Sequence, residues 1–377
     1  MREGNDGFTI FIICKIRITS TELSGKIFPM NVSAITGSIF KNHDCKGHSE
    51  CHDRLLSVLE GMPPDIPIHE PVPATREQLE RVHVPGYLTW LERQCTKNID
   101  FCTLDEYVYA GGYFENNQFI RGYLDPNTYI NPCSYEVATY AAGSAVAAVE
   151  YALSGERCFA LIRPPGHHAE ADKAMGFCLL NNTAVAAADA LKSVDRVAIL
   201  DWDAHHGNGT QSIFYSDNRV LYCSIHQKEF FPHTGFLEET GSGAGEGFTM
   251  NAPLLRNSAI ADYSYIFSEI FDPALRRFRP DLLLISAGQD TLSDDPLGSM
   301  KLEPADFGLL TRLALEATGC PTALILEGGY GPSHAAAVSS IFDVLKGNNP
   351  KHEAGGVPGR ETLETAALLK KLHRLPG

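Results

Sequence analysis

The sequence predicts an α/β protein in which helices wrap an open parallel sheet. Three observations lead there. From about residue 30 onward, apolar runs of strand length alternate with helical stretches. Several of these runs are almost continuously apolar, as parallel strands covered on both faces tend to be. Polar, chemistry-bearing residues follow the runs directly, and ligands in open α/β sheets bind beyond the carboxyl ends of the strands.

Strands are expected over residues 32–40, 158–163, 196–201, 219–225, 281–287 and 321–327. The third is typical: Val197-Ala198-Ile199-Leu200 is an apolar run closed by Asp201. Helices are expected over 54–60, 76–82, 85–94, 134–154, 182–192, 262–278, 304–318 and 335–345. A short terminal helix follows the Gly- and Pro-rich stretch after Lys346. The stretches 96–132 and 226–253 read as loop-rich, and long loops in a compact domain carry function or disorder. The glycine-rich run from Gly241 to Gly247 lacks GxGxxG spacing and opens no helix, so it is a loop and not a nucleotide site.

Composition narrows the function classes. The chain has 377 residues, 44% of them apolar, and a net charge of -15. That balance disfavours a nucleic-acid backbone and favours cationic small molecules or basic peptides. Ten cysteines occur without any CxxC and without a secretory signature, as in a protein with reduced thiols in the cytoplasm. No apolar run is long enough to span a membrane. The apolar segment 8–14 has no basic stretch before it and no small-residue cleavage site after it. Met30 precedes the first strand, so residues 1–29 read as an appended arm or a product of start-codon choice, and 30–377 as one domain. His43, Cys45, His48, Cys51 and His52 cluster, but their spacing fits no zinc ribbon or finger.

Five segments deliver polar groups to the strand ends: His167-His168, Asp201-Trp202-Asp203-Ala204-His205, Ser224-Ile225-His226, Asp290 and Tyr330. A lone residue of this kind is most often a cap or a satisfied core group, whereas five together point to a site. Asp203, His205 and Asp290 make one imidazole and two carboxylates, a set that binds zinc and also takes ferrous iron or cobalt. Such an ion polarises an amide carbonyl and lowers the pKa of water. His167 and His168, on the loop Arg163-Pro164-Pro165-Gly166, can move the water proton to a leaving amine. Each ring needs a partner at its second nitrogen; Asp201 and Asn208 are the candidates, one for each histidine. Tyr330, on the glycine turn after Glu327, can donate to a developing oxyanion.

These segments, together with Gly176-Phe177-Cys178-Leu179-Leu180-Asn181-Asn182, Phe230-Phe231-Pro232-His233-Thr234-Gly235 and the run from Asp290 to Gly298, resemble the zinc-dependent histone deacetylase and acetylpolyamine amidohydrolase family. The likeness runs in order from about residue 31 to 347, and Asn208 makes it similar to the class II side and its prokaryotic relatives. The resemblance implies a three-layer αβα arginase-deacetylase fold with a mostly parallel sheet of about eight strands. It implies one zinc on Asp203, His205 and Asp290, His168 as general base and acid, His167 as its electrostatic partner and Tyr330 as oxyanion donor. It places Gly176, Phe177, Phe231 and Leu297 around a narrow tunnel for an aliphatic side chain. It matches Asp201, Ser224 and the backbone carbonyls of Asp203, His205 and Ile225 to a potassium site. The implied substrate is an acetylated lysine of a peptide or protein, or another acetylated amine, and a homo-oligomer is compatible with the family.

Departures qualify the match. His43 to Arg54 only loosely resembles the family's His-Pro-Glu segment, and no acidic rim residue can be placed within 96–132. Leu297 stands where a glutamate marks one polyamine-preferring branch, while Asp105, Glu106 and Glu115 remain available for a cationic substrate. A ureohydrolase with two metals needs a carboxylate two residues after His205, where this chain has Gly207. A catalytically silent acetyl-lysine binder would have no use for a complete set of ligands, histidines and tyrosine.

Overall fold

The computed structural model describes residues 31–96, 112–115, 118–121, 124–352 and 355–376. The arm at 1–29, Asp105 and Glu106 lie outside the described residues, and of Glu115 only the backbone is described.

Among the described residues ten strands form: β1 (Asn31–Ile35), β2 (Ile68–His69), β3 (Gly112–Glu115), β4 (Gln118–Arg121), β5 (Glu156–Ala160), β6 (Val197–Asp201), β7 (Val220–Gln227), β8 (Thr249–Leu254), β9 (Leu282–Ala287) and β10 (Thr322–Leu326). Eight make one sheet in the order β2-β1-β5-β10-β9-β6-β7-β8, every neighbouring pair parallel. β3 and β4 form a separate antiparallel hairpin. Every residue of β6, β7, β9 and β10 is buried. That explains their unbroken apolar runs, because helices cover both faces of such a sheet.

The helices are α1 (His52–Gly61), α2 (Arg76–Glu80), α3 (Pro85–Thr96), α4 (Ser134–Leu153), α5 (Asn182–Ala190), α6 (Asn208–Phe214), α7 (Ile260–Ile266), α8 (Asp272–Phe278), α9 (Pro304–Thr318), α10 (His334–Leu345) and α11 (Arg360–His373). α4 packs on α5, β5 and β10, while α10 packs on α9 and α1. The layers are those of a three-layer arginase-deacetylase fold. The buried stripe of α4 is rich in alanine (Ala138, Ala141, Ala142, Ala145, Ala148), which lets the helix axis come close to the sheet. α5 starts where the Asn181 side chain accepts from the Ala184 N–H at 2.9 Å, an N-cap that also anchors the loop before it. Among the described residues no helix is long and apolar enough to cross a membrane.

Some expected elements change. The strand expected over 32–40 ends at Ile35, and a 3₁₀ turn, Ser38–Asn42, replaces its second half. A Cβ on Gly37 would stand 2.7 Å from Pro71, so the chain passes close to Pro71 just before the 3₁₀ turn. The helix expected over 262–278 begins at Ile260 and is interrupted by a π turn, Phe267–Phe271. Pro273 follows and has no N–H to donate back into that turn. The stretch 226–253 is not all loop: it contributes the end of β7 and most of β8. Pro253 and Asn251 mask β8, and Pro is tolerated there because β8 is an edge strand. The hairpin β3-β4 likewise occupies part of 96–132.

Strand order sets up the site. From β5 the chain crosses over to lay down β6, β7 and β8, then returns to place β9 and β10 in the gap between β5 and β6. The loops after β5, β6, β9 and β10 therefore meet at one edge of the sheet.

Candidate active site

Asp203 and His205 follow β6, and Asp290 follows β9, its neighbour in the sheet. Their ligand atoms lie within 4.8 Å of one another, the one such group among the described residues. His205 Nδ1 is 2.7 Å from Asp290 Oδ2 and 3.2 Å from Asp203 Oδ1. Backbone donors orient the carboxylates: Ala204 N–H gives to Asp290 Oδ1 at 2.7 Å, and Gly328 N–H to Asp203 Oδ2 at 2.8 Å. The His43–His52 cluster makes no such group; His43 instead stacks on Tyr129 at 4.3 Å.

Two adjacent buried carboxylates call for positive charge between them. Burial and the Asp203 anion push Asp290 up to about 7. Burial also opposes charge on Asp203, but His167 and His205 outweigh it and hold its pKa below the ordinary value. For His205 burial again works against charge, yet Asp290 and Asp203 lift it to about 10. A nitrogen and two carboxylate oxygens this close fit a zinc-like divalent cation, which would relieve the same repulsion without a proton.

The two histidines have different partners. His167 Nδ1 is 3.1 Å from Asp201 Oδ2, and His168 Nδ1 is 2.8 Å from Asn208 Oδ1. Burial disfavours charge on His167, but Asp203 and Asp201 together raise its pKa well above the ordinary value. Burial, with His167 and His205 behind it, holds His168 well below the ordinary value. One ring is thus kept charged beside a neutral one, 4.1 Å apart between centroids. Two environments that push like groups apart in pKa are the arrangement that acid–base chemistry uses. The Asn208 amide oxygen accepts from Nδ1–H, which leaves the His168 Nε2 lone pair toward the cavity.

That cavity holds about 240 Å³ and is lined by Gly176, Phe177, Phe231, Leu297 and Tyr330, with both histidines and the three carboxylate and imidazole ligands at its floor. Phe231 meets His168 edge-on at 5.2 Å, and Tyr330 meets Phe177 at 5.7 Å. Gly176 has φ of +57°, and a Cβ there would stand 2.5 Å from the His168 ring, so the wall is thin where the histidine must be reached. Burial pushes the Tyr330 hydroxyl well above its ordinary pKa against the pull of Arg54, so it stays a donor. The residues matched to a monovalent cation are near one another: Asp201 and Ser224 are register partners on β6 and β7, and Asp203, His205 and Ile225 continue those segments. Asp201 Oδ2 also accepts from the Tyr222 hydroxyl at 3.1 Å.

Several functional residues went unassigned in the sequence. Glu327 Oε2 accepts from the Gly166 and His167 N–H groups at 2.7 and 3.1 Å, so it anchors the histidine loop. Arg54 donates from Nε to the Gly329 carbonyl at 2.7 Å, donates to the Glu327 carbonyl, and lies 4.9 Å over the Tyr330 ring. Glu50 accepts from Arg163 at 2.9 and 2.6 Å, fully buried. The loosely matching segment 43–54 therefore supplies the ties that hold both the 163–168 loop and the 327–330 turn. Glu50 stands before Cys51, the N-cap of α1, and Arg54 within its first turn, so no local pattern marked their distant partners. Phe230, beside Phe231 in the sequence, stacks on His205 at 5.0 Å.

Asp295 is a further case. Its Oδ2 accepts from the N–H groups of Tyr330 and Gly331 at 2.6 and 2.9 Å, and its Oδ1 from Leu297 N–H at 2.8 Å. One buried carboxylate thus fixes both the tyrosine and the rim leucine. Asp295→Asn replaces an acceptor by a donor facing an N–H. It is expected to lower turnover by about 10–10²-fold through a displaced Tyr330, with bound metal unchanged by elemental analysis.

Comparison with known proteins agrees with this geometry. Residues 48–345 match the histone deacetylase domain. A probable deacetylase of Archaeoglobus fulgidus is 35% identical, over 90% of this chain and 96% of its own. A histone deacetylase-like amidohydrolase of Pseudomonas aeruginosa is 39% identical over 76% of this chain and 74% of its own. The crystal structure of the HDA15 HD domain superposes with a TM-score of 0.80 at 30% identity, over 92% of this chain and 95% of that one.

Proposed function

The chain belongs to the histone deacetylase family, and from that premise we propose that it is a zinc-dependent amidohydrolase. It removes acetyl or short acyl groups from the side-chain amine of acetyl-lysine in peptides or proteins. The observation that carries this reading is the pair His167–Asp201 and His168–Asn208 beside a three-ligand centre, at the floor of an apolar cavity that reaches Tyr330.

An aliphatic acyl-lysine chain runs between Phe177 and Phe231, which exclude water from it. Zinc on Asp203, His205 and Asp290 would supply Lewis acidity toward the amide carbonyl and the attacking water. His168 Nε2 takes the proton from water as the new C–O bond forms. His167, held charged by Asp201, faces the negative charge that develops, and the Tyr330 hydroxyl donates to it. His168 then returns its proton to the nitrogen as the C–N bond breaks, releasing the amine and a carboxylate. Potassium on Asp201, Ser224 and the carbonyls of Asp203, His205 and Ile225 would fix the loop that carries two of the three ligands.

Leu297 favours acetyl-lysine over an acetylated polyamine, because an apolar rim offers no partner to the free ammonium at the far end of the polyamine. Measured kcat/KM should be higher for an acetyl-lysine peptide than for N-acetylputrescine or N-acetylcadaverine. The reverse order would assign the enzyme to small acetylated amines. Ureohydrolase chemistry is disfavoured in space as well as in sequence: a Cβ on Gly207 would lie 2.3 Å from Asp201 Oδ2, so no carboxylate fits there. A silent acetyl-lysine binder would show no turnover on any of the three substrates.

Tyr330→Phe removes only the donor oxygen. It is expected to lower turnover by ~10²–10³ with little change in substrate affinity. Unchanged turnover on every acetylated amine would move the oxyanion role to the metal alone.

A further inference from the structure

A second cavity lies at the other edge of the sheet, away from the metal ligands. It is the larger of the two, about 590 Å³, and opens between the amino ends of β6, β7 and β8 and the last turns of α8 and α11. Three arginines line it, Arg196, Arg277 and Arg374, in a chain whose net charge is -15.

The positive charge there is not fully used by the protein. Arg277 donates to the backbone carbonyls of His373 and Arg374 at 2.8 and 3.4 Å and so caps α11. Among the described residues neither Arg196 nor Arg374 forms an ion pair with a carboxylate. Arg196 lies 5.9 Å from the centre of the Phe278 ring, and Phe278 meets Phe248 edge-on at 5.8 Å, so guanidinium and aromatic surface share the cavity. The carboxylate in the lining, Glu246, already accepts from the Thr240 hydroxyl at 2.8 Å. His373 also lines the cavity, but it is 4% exposed, its ring nitrogens are sealed from solvent and its ring lies against the Gly247 backbone, so the open polar groups are the guanidiniums. Guanidiniums without a carboxylate partner beside an aromatic floor, inside a cavity of this size, describe a receptor for an oxyanion attached to an apolar body.

We propose that this cavity binds a small organic anion, a phosphate or carboxylate carried on an aromatic or aliphatic group, at a site separate from the active site. Arg196 and Arg374 clamp the oxyanion, and the body rests on Phe278. The site is at the opposite ends of the strands that carry Asp201 and Ser224, so its occupant does not compete with the acetylated substrate.

Isothermal titration of the full-length, metal-loaded protein with phenyl phosphate, benzoate, inorganic phosphate and phenol tests this. Phenyl phosphate or benzoate should saturate one site per chain; phenol should not bind, and inorganic phosphate should bind more weakly. Which of the two anions binds more tightly distinguishes a phosphate from a carboxylate source. The double variant Arg196→Gln, Arg374→Gln should weaken binding by about 100-fold, on the scale of two charged hydrogen bonds, with deacetylase turnover and thermal unfolding unchanged. Absence of saturable binding would overturn the proposal, as would binding that survives the double variant. Binding lost instead in Asp290→Asn would place the anion at the metal centre and also overturn it.

Discussion

Protein carrying Asp203→Ala is expected to purify without divalent metal and without measurable deacetylation, whereas the unaltered chain should hold about one zinc per chain. The effect is large because a site with three protein ligands has none to spare. Removing one carboxylate leaves His205 and Asp290 at 2.7 Å, a pair that satisfies itself without a cation. Asp203 also accepts from the Gly328 and His205 N–H groups at 2.8 and 2.9 Å. Its loss therefore orphans two backbone donors, one of them fully buried, at a cost of about 1–3 kcal/mol for a buried one. Asp203→Asn keeps the shape while weakening the ligand. Elemental analysis and thermal unfolding of both variants separate metal loss from unfolding. An Asp203→Ala protein that is metal-free, folded and fully active would remove the basis for metal-assisted hydrolysis.

His168→Ala is expected to retain its zinc and to lose about 10²–10⁴ in turnover, the usual scale for a general acid–base group. The geometry requires the first half of that statement, since His168 bonds to Asn208 and touches no carboxylate ligand through a hydrogen bond. His167→Ala should be milder on the chemical step, because that ring acts through its charge. Single-turnover rates and metal content of the two variants decide the matter. Small, equal losses at both positions would contradict the division of roles, and zinc lost from His168→Ala would make the residue a ligand.

Much of this site was legible in the sequence, because its groups sit in short contiguous segments after recognisable strands. Apolar runs ending in Asp201, Ala287 and Leu326 put the following loops at one sheet edge once the strands are parallel neighbours. The Asp203–His205 pair and the adjacent histidines were local patterns; Asp290 was placed by its strand end, and the family resemblance implied the roles of the set. The edge strand β8 did not, since Asn251 and Pro253 break its apolar pattern. Nor did the interruption of α7 and α8, where local propensity reads as one helix.

The sequence by itself determined the fold class and the inventory of reacting groups, which depend on local periodicity and on chemistry carried within a few residues. Only the tertiary structure decided how those groups are partnered. Two adjacent histidines are equivalent in sequence; the positions of β6 and α6 assign Asp201 to His167 and Asn208 to His168. Arg54 reaches the Gly329 carbonyl across 275 residues of chain, and Glu50 reaches Arg163 across 113. Asp295 ties the Leu297 rim to Tyr330. Such contacts arise because β9 and β10 return to lie between β5 and β6, and a local pattern holds no record of which distant strand will become its neighbour.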